Sequence, residues 1–184
     1  MPMIRFASTN AIKLEEARAL LGEIEPIALD LPEIQSVDPS VVVRHKLAGI
    51  AGLGLDGPVL VEDTALVVDA WDGLPGALVK WFVETWGPAG LARRTLADGG
   101  AGGALAVSAV GVLDRGRTGL WTGALRGRIV APRGELGGWT SIFEVDGCDR
   151  TLAELALDER LAVTMRRAPL LEARAWLLDR ARSA

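Results

Sequence analysis

Ile4-Arg5-Phe6-Ala7-Ser8-Thr9-Asn10-Ala11-Ile12-Lys13 joins a short extended run to a helix start, and its reading decides the fold class. Ile4 to Ser8 reads as a strand. Thr9 and Asn10 are capping residues, and Ala11 to Leu21 carries Leu14, Ala17, Leu20 and Leu21 at helical spacing, with Gly22 as the stop. A strand feeding a helix with one apolar stripe predicts a helix packed on a sheet.

Working outward, Pro26 to Leu31 reads as a second extended segment, closing at Pro32-Glu33. Pro39-Ser40 opens a helix to about Ala51. Val59-Leu60-Val61-Glu62 is an apolar strand that delivers Glu62-Asp63-Thr64 at its end, and Ala65 to Ala70 reads as a further extended piece. Beyond the turn Trp71 to Gly76, helices are predicted over Ala77 to Trp86 and Pro88 to Ala97. Gly99 to Gly103 reads as a flexible surface loop. A strand pair follows, Ala104 to Leu113 and Leu120 to Arg128, around Asp114-Arg115-Gly116, and then a short strand, Ile142 to Val145. The tail is helical over Leu157 to Thr164 and Leu170 to Arg182, interrupted near Pro169. Strands alternate with helices early and pair with each other later, which predicts an α/β or α+β domain around a mixed sheet. One domain spans 1–184. The string Gly52-Leu53-Gly54-Leu55-Asp56-Gly57 matches a dinucleotide fingerprint, but it follows a helix and precedes a strand, so it reads as a terminator and turn.

Composition narrows the chemistry. With 49% hydrophobic and 24% charged residues, no membrane-length apolar run and no signal-peptide layout, the expectation is a soluble cytoplasmic protein. One cysteine, Cys148, excludes an internal disulfide, and one histidine, His45, excludes multi-histidine metal sites. His45 lies between Arg44 and Lys46 and reads as part of a solvated helix face. A net charge of −4 argues against a nucleic-acid partner. What remains is chemistry run by carboxylates, lysines, arginines and a hard metal ion.

Only three of the 20 basic residues are lysines, Lys13, Lys46 and Lys80. A lysine offers a compact point charge suited to a phosphate chain. Thr9, Asn10 and Lys13 sit at a helix start, where free N–H groups and the dipole favour an anion; the same residues also read as a plain cap beside an exposed lysine. Glu33 and Asp63 stand at ends of predicted extended segments, where two carboxylates and phosphate oxygens can hold Mg²⁺. Either one alone also reads as a surface carboxylate.

The ordered series Thr9-Asn10 through Lys13-Leu14-Glu15-Glu16, Leu31-Pro32-Glu33-Ile34-Gln35, Val61-Glu62-Asp63-Thr64, Gly73-Leu74-Pro75-Gly76 through Lys80-Trp81-Phe82, and Gly127-Arg128-Ile129-Val130-Ala131-Pro132-Arg133-Gly134 resembles the inosine triphosphate pyrophosphatase family. The likeness runs from about Ile4 to about Leu178. It implies a metal-dependent enzyme splitting a nucleoside triphosphate into a monophosphate and pyrophosphate, using Mg²⁺ or alternatively Mn²⁺. The implied fold is an elongated mixed sheet with helices forming two lobes around a cleft, assembled as a homodimer. By the resemblance, Thr9, Asn10 and Lys13 bind the triphosphate, Lys46 and Lys80 are further phosphate or catalytic lysines, and Glu33 and Asp63 stand at the metal, Asp63 also at the attacking water.

The base-reading third departs from the family. Gly137 stands where an aromatic stacks on the base, Thr140 where an Asp reads it, Ser141 in place of Pro, and Met165 where a His donates to the 6-oxo group. Methionine donates no hydrogen bond. Arg160 replaces a family lysine, and Trp139, Thr140, Arg160 and Arg166 remain as base-binding candidates. The expectation is an active pyrophosphatase with altered base selectivity. The alternatives are an ordinary inosine or xanthosine triphosphatase and a non-catalytic nucleotide-binding protein; retention of Glu33 and Asp63 counts against the last.

Overall fold

The computed structural model describes residues 3–97 and 102–182. Gly99, Gly100 and Ala101 of the predicted loop lie outside them. In chain order the elements are β1 (Ile4–Ala7), α1 (Ala11–Leu21), β2 (Ile24–Ile27), α2 (Pro39–Ala51), β3 (Val59–Val68), β4 (Pro75–Gly76), α3 (Val79–Ala97), β5 (Gly103–Asp114), β6 (Arg117–Ile129), β7 (Phe143–Val145), α4 (Leu157–Val163) and α5 (Arg167–Arg182). The sheet is mixed, with seven strands in the order β2-β1-β3-β5-β6-β7 and β4 paired to β3 off that path. β1 runs parallel to β2 and β3; the remaining pairs are antiparallel.

Local chemistry explains the best-defined boundaries. Asn10 caps α1 by accepting from Lys13 N at 3.1 Å, and Gly22 at φ 89° closes it. Asp38 caps α2, accepting from Ser40 N at 2.8 Å, with Pro39 in the first turn. The β5–β6 hairpin turns through Arg115 and Gly116, both at positive φ.

Four expectations change. β2 stops at Ile27, because residues 28–37 leave the sheet on the way to α2. The two extended pieces around Asp63 are one strand, β3, paired with β5 along its whole length; Asp63 is therefore in mid-strand, not at a strand end. The two helices after the turn are joined with only Gly87 (φ 65°) out of helical geometry between them. The tail breaks at Thr164 to Arg166, and Pro169 falls in the first turn of α5, where its missing N–H costs nothing.

The long strands carry a hydrophobic cluster at each end. Leu66, Val68, Ala104 and Ala106 pack with Leu91, Phe143 and Met165 at one end. At the other, Leu60, Val110 and Val112 pack with α1 and α5 on one face, and Val59, Val61 and Ala109 pack with α2 on the opposite face. Two glycines let the helices come close: a Cβ on Gly111 would meet Val43 Cγ1 of α2 at 2.6 Å, and one on Gly123 would run into the Met165 carbonyl just before α5. Among the described residues no helix is long and apolar enough to cross a membrane.

Candidate active site

The edge of β3 facing β1 is interrupted. β1 pairs with it only at Val59 and Leu60, because the chain leaves the sheet after Ala7 to start α1, and β4 pairs only at Leu66 and Val67. Among the described residues, 61–65 have no strand partner on that edge, and a cleft of ≈ 670 Å³ opens there. It is lined by the start of α1, the Glu33 segment, Lys46 of α2, Glu62 to Thr64, the start of α3 and the Gly137 to Thr140 segment.

All three lysines line this one cleft. Side chains on a strand alternate between faces, so the adjacent acids diverge. Glu62 points to the α1 and α5 face, where its Oε2 lies 2.6 Å from Lys13 Nζ and its Oε1 accepts from Ser108 Oγ at 2.8 Å and Arg166 Nε at 3.0 Å. Asp63 points to the α2 face, 3.4 Å from Lys46 Nζ. Lys46 Nζ also meets Glu33 Oε1 at 2.6 Å.

The two acids titrate in opposite directions. Burial pushes Glu62 up, but the Lys13 and Arg166 charges outweigh it and hold the carboxyl down at about 2. Burial dominates at Asp63, with Glu62 and Glu33 adding to it against Lys13 and Lys46, and its carboxyl is pushed up to about 6. Burial works against the Lys46 ammonium, but Asp63 and Glu33 raise its pKa. A hydrogen bond from Lys46 lowers that of Glu33.

The other predicted residues divide. Thr9 and Asn10 are exposed at the cleft mouth, and Lys80, with a side chain 63% exposed, lies 3.9 Å from Glu84 and 5.3 Å from the Trp81 ring. Thr140 lines the cleft, its hydroxyl donating to the Gly137 carbonyl at 2.8 Å. Trp139 lines it too, but only 8% exposed and edge-on to Phe143 in the core. Arg166 lines it with Nε and Nη1 committed to Glu62 and Glu16. The structure does not bring Arg160 to the cleft: that guanidinium is buried against Glu16 and Glu15. His45 is exposed, as a solvated helix face predicts.

Sequence reasoning missed Glu62, Glu16 and Ser108 as working parts. A strand-period reading of Val59 to Thr64 would have found Glu62, because one of two adjacent acids in an apolar strand must enter the α1 face. Glu16, three residues after Lys13 and next to the buried Ala17, carried a similar signal.

No group of three or more His, Cys, Asp or Glu side chains able to hold a metal occurs among the described residues. Glu33 and Asp63 nevertheless converge on a single cation, the Lys46 ammonium. Two carboxylates sharing one positive centre fit an ion that takes its other ligands from water and phosphate.

The sheet is mixed and seven-stranded, and the cleft at its centre gathers three lysines and four acids, a charge pattern that suits a polyanion with a counter-cation. Residues 4–176 match the Ham1 family, and the chain belongs to that family. It is 38% identical over 180 residues to the inosine triphosphate pyrophosphatase of Giardia intestinalis, covering 95% of this chain and 92% of that one. It is 36% identical over 176 residues to the inosine triphosphate pyrophosphatase of Kluyveromyces lactis, covering 90% of each. In fold it is similar to the Staphylococcus aureus Ham1 protein (TM-score 0.72, 21% identity, 97% and 99% of the two chains). It is also similar to the nucleoside-triphosphatase / dITP/XTP pyrophosphatase of Mycobacterium abscessus (TM-score 0.60, 29% identity, 96% and 98%).

Proposed function

We propose that this chain is a nucleoside triphosphate pyrophosphatase acting on inosine-type purine triphosphates, releasing a monophosphate and pyrophosphate. The observation that carries the reading is the convergence of Lys13, Lys46 and Lys80 with Glu33 and Asp63 on one cleft. Membership of the Ham1 family and two inosine triphosphate pyrophosphatases at 36% and 38% identity support the activity and the substrate class.

Thr9, Asn10 and the N-terminus of α1 receive the phosphate chain, with Lys13 supplying charge from the cleft floor. Lys80, at the start of α3, swings from Glu84 to the same anion. Glu33 and Asp63 would hold Mg²⁺, with Mn²⁺ as the alternative, and the ion would supply charge neutralisation at the phosphate being cleaved and at the leaving pyrophosphate. Burial raises Asp63 above the usual carboxylate range, which suits it to accept a proton from the attacking water when ionised. Lys46 pairs with both acids and keeps them in place until substrate arrives. Release of pyrophosphate from inosine triphosphate and magnesium tests the reading, and no release would refute it in favour of a binding protein.

A second reading, altered base selectivity, is favoured by the base end of the cleft. A Cβ built on Gly137 meets nothing within 4 Å, so a stacking ring is replaced by open space. Met165 is turned into the core rather than toward a base. Assembly as a homodimer is also proposed, supported by the exposed apolar side chains Val37, Leu74 and Trp81.

A further inference from the structure

Glu62, Glu16, Arg160 and Arg166 form a closed buried arrangement joined to Lys13, and the reaction as proposed uses only that lysine. Lys13 and Glu16 lie one turn apart on α1, so both side chains leave the same face of the helix. Lys13 Nζ meets Glu62 Oε2 at 2.6 Å on β3. Arg166, just before α5, donates from Nε to Glu62 Oε1 at 3.0 Å and from Nη1 to Glu16 Oε2 at 3.2 Å. Glu16 is fixed in turn by Arg160 Nε at 2.9 Å and by the Thr164 hydroxyl at 2.8 Å. Glu62, Glu16, Arg160 and Arg166 are all buried. Glu15 completes the set by pairing with Arg160, so three acids balance three bases.

Lys13 has three N–H donors, and Glu62 takes two of its contacts. One goes to the carboxylate and the other to the Glu62 carbonyl at 3.3 Å, at the stretch of β3 whose edge lacks a strand partner. One donor remains for the cleft, which Lys13 lines with only 15% of its side chain exposed. Glu62 Oε2 is buried and takes the Lys13 ammonium at 2.6 Å as its ion-pair partner. Each group therefore fixes the other.

We infer that Glu62 is a positioning residue: clamped by Arg166 and Ser108, it holds the Lys13 ammonium so that one N–H already faces the phosphate subsite. A free lysine would lose rotamer freedom on binding an anion, whereas this one has lost it on folding. The same clamp assigns Arg166 to holding Glu62 and Glu16, whatever contact its remaining donors make in the cleft. The inference rests on the phosphate-site reading above, and the test separates the two.

The test is a double-mutant cycle of Glu62→Gln and Lys13→Met, read as calorimetric affinity for inorganic tripolyphosphate with magnesium. Gln keeps the size of the side chain but removes the charge that holds the ammonium. The expected result is a loss of about tenfold on Glu62→Gln in the parent and less than about twofold in the Lys13→Met background. An equal loss in both backgrounds would mean general damage to the buried cluster and would overturn the inference, as would no loss in the parent. If Lys13→Met itself leaves tripolyphosphate binding unchanged, the phosphate-site reading fails and the inference falls with it. Should Glu62→Gln not fold, Ser108→Ala removes one hydroxyl from the same carboxylate. It is expected to cost about threefold in the parent and nothing measurable beside Lys13→Met; equal effects in the two backgrounds count against the inference in the same way.

Discussion

Glu62 and Asp63 are adjacent in sequence, yet their carboxylates lie on opposite faces of the sheet and pair with lysines from different helices, Lys13 of α1 and Lys46 of α2. The period of a β-strand sets this geometry, and the interrupted edge of β3 lets both faces open into one cleft. The result is one strongly acidic carboxyl held by charge and one raised by burial. Similar side chains are thus fitted for different work.

Asp63→Asn is expected to lower kcat by about 10²–10⁴-fold, the usual range for loss of a positioned base, with the melting transition little changed. The parent's kcat/KM should rise with pH as Asp63 ionises, with a midpoint below about 6 in magnesium because the bound cation favours the carboxylate. A pH–rate profile on both proteins checks this. Near-normal turnover in the variant would contradict the assignment.

The lysines should not respond alike. Lys13→Ala removes the counter-charge of the buried Glu62 as well as a phosphate contact, so rate, affinity and stability all fall. Lys80, exposed and only 3.9 Å from Glu84, should on mutation to Ala raise KM several-fold, of order 1 kcal/mol in binding, without loss of stability. Lys13→Arg should rescue poorly, since a planar fork does not replace a point charge in that setting. Steady-state kinetics paired with thermal melts separates the two cases.

Base selectivity is checked by kcat/KM for inosine, xanthosine, adenosine and guanosine triphosphates. Strong preference for inosine triphosphate in the parent supports the ordinary reading and removes the rewritten pocket. Weak preference, sharpened by Gly137→Phe, supports the second. Stacking on an added ring is worth about 1–3 kcal/mol per base in single-strand binding proteins.

Light scattering at micromolar concentration should give twice the chain mass. A monomer mass would exclude the proposed homodimer.

Much of this architecture is local and was legible. The cap at Asn10, the stop at Gly22 and the helix start at Pro39-Ser40 follow from the local preferences of those residues, whereas the Asp38 cap emerged only in the structure. The continuity of β3 was not legible, because Glu62-Asp63-Thr64 breaks an apolar run and the pairing of that tripeptide with Ser108, Ala109 and Val110 of β5 joins residues far apart in sequence. At the site, Lys13, Lys46, Glu33 and Asp63 stood out by residue type and converge. Arg160 stood out as well but points elsewhere, because its partner Glu16 lies 144 residues away in sequence and only folding joins them. Trp139 looked available as an aromatic, and its contact with Phe143 buries it. Chemistry-bearing residue types could be read from sequence, whereas their partners across the sheet could not.

The most direct test of the central claim is phosphorus NMR of inosine triphosphate incubated with the protein and magnesium, followed from the first turnovers. Inosine monophosphate and pyrophosphate should appear in equal amounts, and neither should appear with Asp63→Asn over the same period. Appearance of a diphosphate and orthophosphate as first products would contradict the claim.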